Sequence, residues 1–187
     1  AQNYPNACAI IFEGQQMTWF EFNALANRFA HYFEDQGVKR GDVVSIMMEN
    51  RIEYLALLVG LNKLGAISGL LNSNLGGASL VHCINVTGSS KCIVGEECMT
   101  ELDAVQEQLN LQTGSDFFFV KDEGAKPCPN WAQDLMTSSA ELSEENPAQT
   151  NDTTIGETAL YIYTSGTTGL PKAAILSNRR YLIAADM

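Results

Sequence analysis

The sequence has few of the residues that build disulfide frameworks or metal sites. It contains five cysteines, with no pair at C-x-x-C spacing, and two histidines, neither in an H-E-x-x-H motif. An odd number of cysteines without paired spacing argues against a disulfide framework, and the histidine pattern argues against a histidine-based zinc site. We therefore expect reduced thiols, as in a cytosolic protein, and structural roles for His31 and His82.

Basic residues and long apolar runs are also scarce. The chain has 11 Lys and Arg against 22 Asp and Glu, a net charge of −11, which repels nucleic acid and anionic lipid headgroups. The longest apolar run, residues 54–61, is far shorter than the roughly 20 residues of a membrane-spanning helix. The N-terminus has no basic segment followed by an apolar one, so the sequence does not predict a signal peptide. We expect neither nucleic acid as a partner nor a membrane span in this sequence.

What is present is a globular composition with alternating strand and helix patterns. Apolar residues make up 45% of the chain and charged residues 18%. Thr18 and Glu21 form a capping-box pattern before a helix that reaches Gly37, and Asn50 with Glu53 predicts the start of a second helix. Further helices are predicted at residues 78–87 and 99–109, and strands at residues 43–48, 66–71, 91–94 and 117–120.

This alternation predicts the fold class. Strands that alternate with helices form parallel sheets, and continuous apolar runs indicate that both faces of the sheet are covered. We expect an α/β fold with a doubly wound, mostly parallel sheet and flanking helices. The aromatic residues at helical spacing near the start of the chain are interpreted as core rather than as a lipid-contacting stripe: Trp19, Phe20, Phe22, Phe29, Tyr32 and Phe33.

The chain divides into three parts. Residues 1–125 are predicted to form an α/β subdomain, and residues 126–157 an irregular acidic crossover in which Glu144 and Glu145 belong to a solvated charge run. Residues 158–187 begin a second α/β portion, with apolar runs at residues 159–163 and 173–176 and a helix from near Ser177. No capping signal closes this helix, so we expect the chain to be a fragment of a longer protein.

The loop between these last two apolar runs carries the strongest chemical signal. Residues 164–172 contain four hydroxyl side chains, two glycines and Lys172. Glycines allow successive backbone N–H groups to line a concavity that binds anions, the hydroxyls add donors, and a lysine supplies a point charge suited to phosphate. The pattern predicts a polyphosphate-binding loop, although composition alone leaves open a purely structural hairpin.

The surroundings of the loop favour an anion. Residues 158–185 contain no Asp or Glu, whereas Lys172, Arg179 and Arg180 are basic. The loop differs from the common P-loop, in which Gly and Lys are adjacent, because Leu170 and Pro171 separate Gly169 from Lys172. The sequence therefore indicates a different ATP-binding loop.

The string from Tyr161 to Lys172, YIYTSGTTGLPK, resembles the signature of the adenylate-forming superfamily, which includes acyl-CoA synthetases, luciferases and adenylation domains of peptide synthetases. Upstream strings such as residues 41–44, 48–50 and 63–66 are similar to the N-terminal region of that family. Residues 173–175 (AAI) and residues 71–75 (LNSNL) followed by His82 and Cys83 look like the fatty-acid transport protein, or very-long-chain acyl-CoA synthetase, branch.

The resemblance implies a reaction and a set of site residues. Such enzymes join a fatty acid to AMP with release of pyrophosphate and then pass the acyl group to CoA, with Mg²⁺ required. No catalytic residue proper is expected in this fragment, and Lys172 assists by stabilising phosphate. Thr164 is the hydroxyl expected near the metal. The residues expected to hold the β- and γ-phosphates are Thr164, Ser165, Gly166, Thr167, Thr168, Gly169 and Lys172.

Several points stay open in the sequence. Asn178 stands where many members of the family have His, close to the acyl pocket by resemblance, so the acyl chain length is not predicted. Other acyl, aryl or amino-acid adenylating ligases share the loop, and a fatty-acid uptake protein or a noncatalytic nucleotide-binding module are alternatives. The unpaired cysteines favour a cytoplasmic protein, and peripheral membrane association and a homodimer are left open. This fragment alone is expected to be inactive.

Overall fold

Strands and helices alternate along most of the chain in the computed structural model, which describes residues 1–164 and 169–185. The strands are β1 (Cys8–Phe12), β2 (Gln15–Thr18), β3 (Val43–Met47), β4 (Ile67–Leu70), β5 (Lys91–Gly95), β6 (Phe117–Val120), β7 (Gln133–Asp134), β8 (Thr158–Thr164) and β9 (Lys172–Ser177). The α-helices are α1 (Trp19–Asp35), α2 (Ile52–Lys63), α3 (Gly77–Val86), α4 (Met99–Asp103), α5 (Leu135–Ser139) and α6 (Asn178–Ala185).

Most of these strands form one sheet. Strands β1 and β2 pair as an antiparallel hairpin, and the other seven lie in the order β7-β6-β5-β3-β4-β8-β9. Every neighbouring pair from β7 to β8 is parallel, and only β9 runs antiparallel to its neighbour β8. The predicted α/β fold with a mostly parallel sheet is confirmed.

Side chains of successive residues enter separate cores on the two faces of the sheet. In β6, Phe118 and Val120 belong to the core beneath α1 and α2, while Phe117 and Phe119 belong to the core beneath α3 and α4. The rings of Phe118 and Phe33 of α1 meet edge to face, with centroids 5.1 Å apart, a favoured aromatic geometry. Helices therefore cover both faces, as the continuous apolar runs predict.

Helix α1 begins at the predicted capping box. The backbone N–H of Glu21 donates to the Thr18 hydroxyl at 3.2 Å, and the backbone N–H of Thr18 donates to the Glu21 carboxylate at 2.8 Å. These bonds satisfy two donors that a helix start otherwise leaves without partners. The helix ends before Gly37, whose φ of 80° lies in the region that favours glycine.

Three predictions about local structure are wrong. Helix α2 begins one residue later than Asn50 predicts: its N-cap is Arg51, which makes no side-chain capping bond. The helix predicted at residues 99–109 ends as α4 at Asp103, and a 3₁₀ turn follows at Gln106–Gln108. Trp19 and Phe20, predicted to be core residues, are 42% and 59% exposed. Helical spacing predicts which face of a helix is apolar, but it does not show whether other elements cover the first turn.

The predicted crossover contains more order than its composition indicates. It holds β7, the short helix α5 and a 3₁₀ turn at Ala148–Asp152, and Glu144 pairs with Arg28 of α1 at 2.5 Å. Beyond it, β8 pairs with β4, so strands from both sides of the crossover share one sheet. The three-part division of the chain stays a prediction for the longer protein.

Helices α1 and α2 approach closely at Gly60. A Cβ atom added to Gly60 lies 2.6 Å from the backbone carbonyl oxygen of Ala26 and 3.3 Å from the backbone nitrogen of Ala30. Backbone atoms cannot swing aside as a flexible side chain can. The absence of a side chain at position 60 therefore sets the distance between the two helices.

Lys63, at the end of α2, joins three polar side chains. Its Nζ donates to the Oδ1 atoms of Asn23 at 2.6 Å, Asn27 at 2.5 Å and Asn146 at 2.8 Å. Burial lowers the pKa of Lys63 to about 8. This cluster ties α1, α2 and the crossover together.

The carboxyl ends of the central strands β3 and β5 are bridged by charged side chains. The order of β3 to β7 in the sheet is that of flavodoxin-like sheets, whose ligands lie at the carboxyl ends of the two strands where the order reverses. Here Glu97, after β5, accepts from the backbone N–H of Glu49 at 2.6 Å and pairs with buried Arg51 at 2.9 Å. The usual ligand position of this topology is therefore spanned by the protein's own side chains.

No helix in residues 1–164 and 169–185 has the length and apolar character that crossing a membrane requires.

Replacing Gly60 with alanine should destabilise the protein. Alanine normally stabilises a helix interior relative to glycine, but here the new Cβ clashes with the backbone of α1, and such overpacking costs about 1–3 kcal/mol. Urea denaturation measures the change in the free energy of unfolding. Leu55→Ala, at an exposed position of the same helix, is the control with a smaller expected effect. A Gly60→Ala protein as stable as wild type contradicts the close approach.

Replacing Lys63 with methionine should change the pH dependence of stability. Folding lowers the pKa of Lys63 from its ordinary 10.5 to about 8, so the unfolded chain binds more protons between these values. The stability linked to this shift is present above the unfolded pKa and is lost as the pH falls through the folded pKa. Urea denaturation at about pH 7 and about pH 9.5 should therefore show wild type gaining stability relative to Lys63→Met at the higher pH.

The exposed Lys39 provides the control, because Lys39→Met should follow wild type across this range. A constant difference between wild type and Lys63→Met at both pH values contradicts the burial of the Lys63 ammonium.

Candidate functional site

The predicted phosphate loop joins two paired strands. Strand β8 ends at Thr164 and β9 begins at Lys172, and these two residues are the last pair of the antiparallel ladder. Because β8 runs parallel to β4, Thr164 lies at the carboxyl edge of the sheet, the edge at which open α/β sheets bind ligands. Ser165, Gly166, Thr167 and Thr168 lie outside the described residues.

The first and last residues of the loop contact each other, and both are exposed. The Thr164 hydroxyl donates to the backbone carbonyl of Lys172 at 3.4 Å, and the side chains of both residues face solvent. An exposed hydroxyl and an exposed ammonium at one end of a hairpin can both reach a bound anion. The structure thus brings Thr164 and Lys172 together, as the phosphate-loop prediction requires.

Gly169 allows a close approach from outside. Its φ of 140° is a conformation that other residues rarely adopt, and, apart from its chain neighbours, no atom of the described residues lies within 4 Å of the position a Cβ would take. A ligand can therefore reach the backbone here.

The charges near the loop favour an anion. The nearest acidic residue before it in the chain is Glu157, at the opposite end of β8, and its carboxylate pairs with Arg40 at 2.6 Å. From there to Ala185 the chain has no carboxylate side chain. ATP fits this setting, because donors and a lysine adjoin the open backbone while no acidic residue of the hairpin repels its phosphates.

For Mg²⁺, Thr164 offers one hydroxyl oxygen. Within the described part of the chain, no group of three or more His, Cys, Asp or Glu residues is arranged to hold a metal ion. Mg²⁺ commonly keeps several waters and binds substrate phosphates together with one or two protein oxygens. The residues present therefore fit a metal carried by a nucleotide rather than one in an all-protein site.

Two contacts to α3 were not predicted from the sequence. The Nε2 of His82 donates to the backbone carbonyl of Pro171 at 3.0 Å, and the Tyr163 hydroxyl donates to the backbone carbonyl of Cys83 at 2.8 Å. From the sequence we expect only a structural role for His82, and its contact with Pro171 is not predictable because residues 82 and 171 are far apart in the chain. The only available signal was its place in the family-like string.

Tyr163 is half-buried beside a further hydroxyl. Its oxygen lies 3.1 Å from the Oγ1 of Thr87, and burial raises the pKa of Tyr163 to about 12. The hydroxyl therefore keeps its proton at neutral pH and remains a donor.

Asn178 lies at a different place, on the first turn of α6. It donates to the backbone carbonyl of Thr154 at 2.9 Å and accepts from Asn62 at 2.8 Å. These residues border a cavity of about 370 Å³ that also meets Leu58 and Leu182. The expected nearness of Asn178 to an acyl pocket stays a prediction.

The cysteines do not supply a reactive thiolate at this site. All five are free, and burial raises the pKa of Cys92 and Cys98 to about 12 and also raises the pKa of Cys83. Thiols with raised pKa values stay protonated and are weak nucleophiles. The buried thiols are therefore not candidates for nucleophilic catalysis.

Known proteins are similar to this chain in sequence. The chain is 33% identical over 182 residues to long-chain fatty acid transport protein 6 of Mus musculus, which covers 95% of the chain and 28% of that protein. It is 30% identical over 184 residues to the medium/long-chain-fatty-acid–CoA ligase FadD6 of Mycobacterium tuberculosis, covering 98% of the chain and 29% of that protein. The chain thus spans less than a third of the length of these relatives.

Solved structures show the same fold. The anthranilate CoA ligase AuaEII in complex with anthranoyl-AMP superposes with a TM-score of 0.87 at 20% identity, over 98% of this chain and 34% of that one. A fatty acyl CoA synthetase of Mycobacterium tuberculosis superposes with a TM-score of 0.75 at 23% identity, over 95% of this chain and 32% of that one.

The family model for "AMP-binding enzyme" matches residues 1–187. This match spans the whole chain, including the string from Tyr161 to Lys172 on which the resemblance to adenylate-forming enzymes rests. The resemblance is confirmed, and the chain belongs to the AMP-binding enzyme family.

Proposed function

We propose that this chain is the N-terminal part of an ATP-dependent long-chain or very-long-chain fatty acid–CoA ligase. The observation that carries the proposal is the pairing of Thr164 with Lys172 at the carboxyl edge of the sheet, which closes a loop of hydroxyls and glycines. The fatty-acid class of substrate is supported by the names of two relatives, a long-chain fatty acid transport protein and a medium/long-chain-fatty-acid–CoA ligase.

The loop would act in the first half of the reaction. A carboxylate oxygen of the fatty acid forms a bond to the α-phosphorus of ATP, and the bond from that phosphorus to the bridging oxygen breaks, so that pyrophosphate leaves with the electron pair. The CoA thiol then attacks the acyl carbonyl and releases AMP, while the thiol proton passes to solvent. Pyrophosphate gains charge in the first step.

The residues of the loop would stabilise that charge. The Lys172 ammonium attracts the β- and γ-phosphates, and the backbone at Gly169 can approach them. Ser165, Gly166, Thr167 and Thr168 are proposed as further donors from the sequence. Donors fixed before the reaction stabilise the transition state more than the ground state, because the charge on the leaving group is larger there.

Mg²⁺, when bound with ATP, would neutralise phosphate charge, and Thr164 is the proposed protein ligand. The Thr164 hydroxyl is exposed next to Lys172 and needs no carboxylate partner to reach a metal held by the phosphates. This fragment lacks residues assigned to the acyl group, adenine and CoA, so we expect the isolated chain to be inactive. We propose a cytoplasmic location from the free thiols, while membrane association and a homodimer stay predictions.

A role in fatty-acid uptake is a second candidate function. Several similar curated proteins are named long-chain fatty acid transport proteins. Ligation and uptake are compatible, because converting an incoming fatty acid to its CoA ester keeps the concentration of free acid low.

The full-length protein should catalyse ATP–pyrophosphate exchange that depends on a fatty acid. The assay compares long-chain and very-long-chain fatty acids with anthranilate and an aliphatic amino acid. Exchange driven by the fatty acids, followed by formation of the acyl-CoA ester, supports the proposal. Exchange driven only by anthranilate or the amino acid assigns another adenylating ligase, and uptake of fatty acid by cells without any exchange assigns the transport role alone.

Replacing Lys172 with alanine in the full-length enzyme should slow adenylation by about 100-fold or more, because one preorganised donor to the developing charge is lost. The side chain is exposed, so the melting temperature should stay close to that of wild type. Lys39→Ala, at another exposed lysine, is the control and should leave exchange unchanged. An unchanged exchange rate in Lys172→Ala would show that Lys172 does not bind the phosphates.

A further inference from the structure

Helix α3 contacts the chain next to each residue of the pair that closes the candidate phosphate loop, at Tyr163 in β8 and at Pro171 just before β9. Tyr163 precedes Thr164, and Pro171 precedes Lys172. Each is bound by the same short stretch of α3, through Cys83 and His82 respectively. The loop is therefore held from one side at both of its ends.

The contact at Pro171 fixes a peptide plane. The Pro171 carbonyl and the Lys172 N–H belong to the same planar peptide unit. A hydrogen bond from the Nε2–H of His82 to that carbonyl, at 3.0 Å, therefore restricts the orientation of the backbone from which the Lys172 side chain leaves. A carbonyl can only accept, so His82 must be the donor in this contact.

The contact at Tyr163 restrains strand β8. Its hydroxyl reaches across β4 at Gly69, where an added Cβ would lie 3.4 Å from the hydroxyl oxygen, and donates to the Cys83 carbonyl at 2.8 Å. Thr87 lies 3.1 Å from the same hydroxyl. The pairing of Tyr163 with Ala173 connects this anchor to β9.

Helix α3 is itself packed firmly against the sheet. Leu80, Cys83 and Ile84 of α3 are fully buried in the core on that face of the sheet. Its end is joined to the sheet by hydroxyls, since Thr87 lies 3.2 Å from Ser89, and Ser89 lies 2.6 Å from Ser45 of β3. Anything that α3 holds is thereby fixed relative to the central strands.

We propose that His82 and Tyr163 are positioning residues for ATP, which clamp the two ends of the phosphate loop onto α3 and so set where Thr164 and Lys172 meet the triphosphate. Neither touches the nucleotide. This inference rests on the proposed function for its effect on activity, but the clamp itself can be measured without any substrate.

The variants remove each donor and restore one of them. His82→Leu deletes the N–H donor, whereas His82→Gln keeps an amide N–H near the position of Nε2. Tyr163→Phe deletes only the hydroxyl. The chain offers matched controls on the opposite face of the sheet: His31 Nε2 contacts the Glu145 carbonyl at 2.9 Å, and the Tyr32 hydroxyl donates to Gln133 at 2.6 Å.

Two readouts are taken on the full-length protein. In ATP–pyrophosphate exchange, His82→Leu and Tyr163→Phe should each raise the KM for MgATP by about fivefold, as expected for the loss of one hydrogen bond, and their combination should raise it further. His82→Gln should stay within about twofold of wild type, and so should His31→Leu and Tyr32→Phe. The KM for the fatty acid should not change in any of them.

Amide hydrogen exchange tests the clamp without ATP or acid. Exchange of the peptide that covers Lys172–Ser177 should be about fivefold faster in His82→Leu than in wild type, with protection restored in His82→Gln and unchanged in His31→Leu. If exchange there and the KM for MgATP both match wild type in His82→Leu and Tyr163→Phe, the clamp is wrong. An equal effect of His31→Leu on the KM for MgATP also overturns it, because the contact to Pro171 would then be unspecific.

The two proposals fail in different ways. A wild-type protein that supports no exchange with any acid refutes the ligase, while the amide-exchange result still decides the clamp. Normal wild-type catalysis together with unaffected His82 and Tyr163 variants refutes the clamp and leaves the ligase intact.

Discussion

The parallel pairing of β8 with β4 is the interaction on which the candidate site depends. Leu160, Tyr161 and Ile162 pair with Ser68, Gly69 and Leu70, which continues the sheet beyond the crossover. Because this pairing is parallel, Thr164 emerges at the same edge as the carboxyl ends of β3, β4 and β5. The antiparallel return of β9 then brings Lys172 to that edge as well. With the opposite pairing, the loop would lie at the far end of the sheet.

The same edge shows why the hairpin is a better candidate for the site than the crevice between β3 and β5. In a sheet of this order the crevice at the reversal point is the usual ligand site, but Glu97 bridges it through Glu49 and Arg51. A carboxylate at that position also repels phosphate. The hairpin, without acidic side chains from Thr158 to Ala185, is the part of the carboxyl edge whose own residues favour a polyanion.

The sequence alone predicts the features that local patterns encode. The capping box at Thr18 and the buried runs of β3, β5 and β6 need only spacing and polarity, and the loop needs only its residue types and its string. What failed depends on distant partners. Arg51, the N-cap of α2, pairs with Glu97 instead of making a capping bond, α4 ends at Asp103, whose carboxylate accepts from Trp131 at 2.6 Å, and His82 contacts Pro171. The spacing of apolar residues along the chain does not predict contacts between residues that are distant in sequence.

Catalysis by fixed donors requires that they do not reorganise as charge develops. The two described donors at the ends of the candidate loop, Thr164 and Lys172, are held by contacts that lie outside the loop. The ladder between β8 and β9 restrains its ends along the sheet, and α3 restrains them perpendicular to it through His82 and Tyr163. The residues proposed to bind phosphate and the residues proposed to hold them in place are thus separate sets, and only the first carries a signal in the loop sequence.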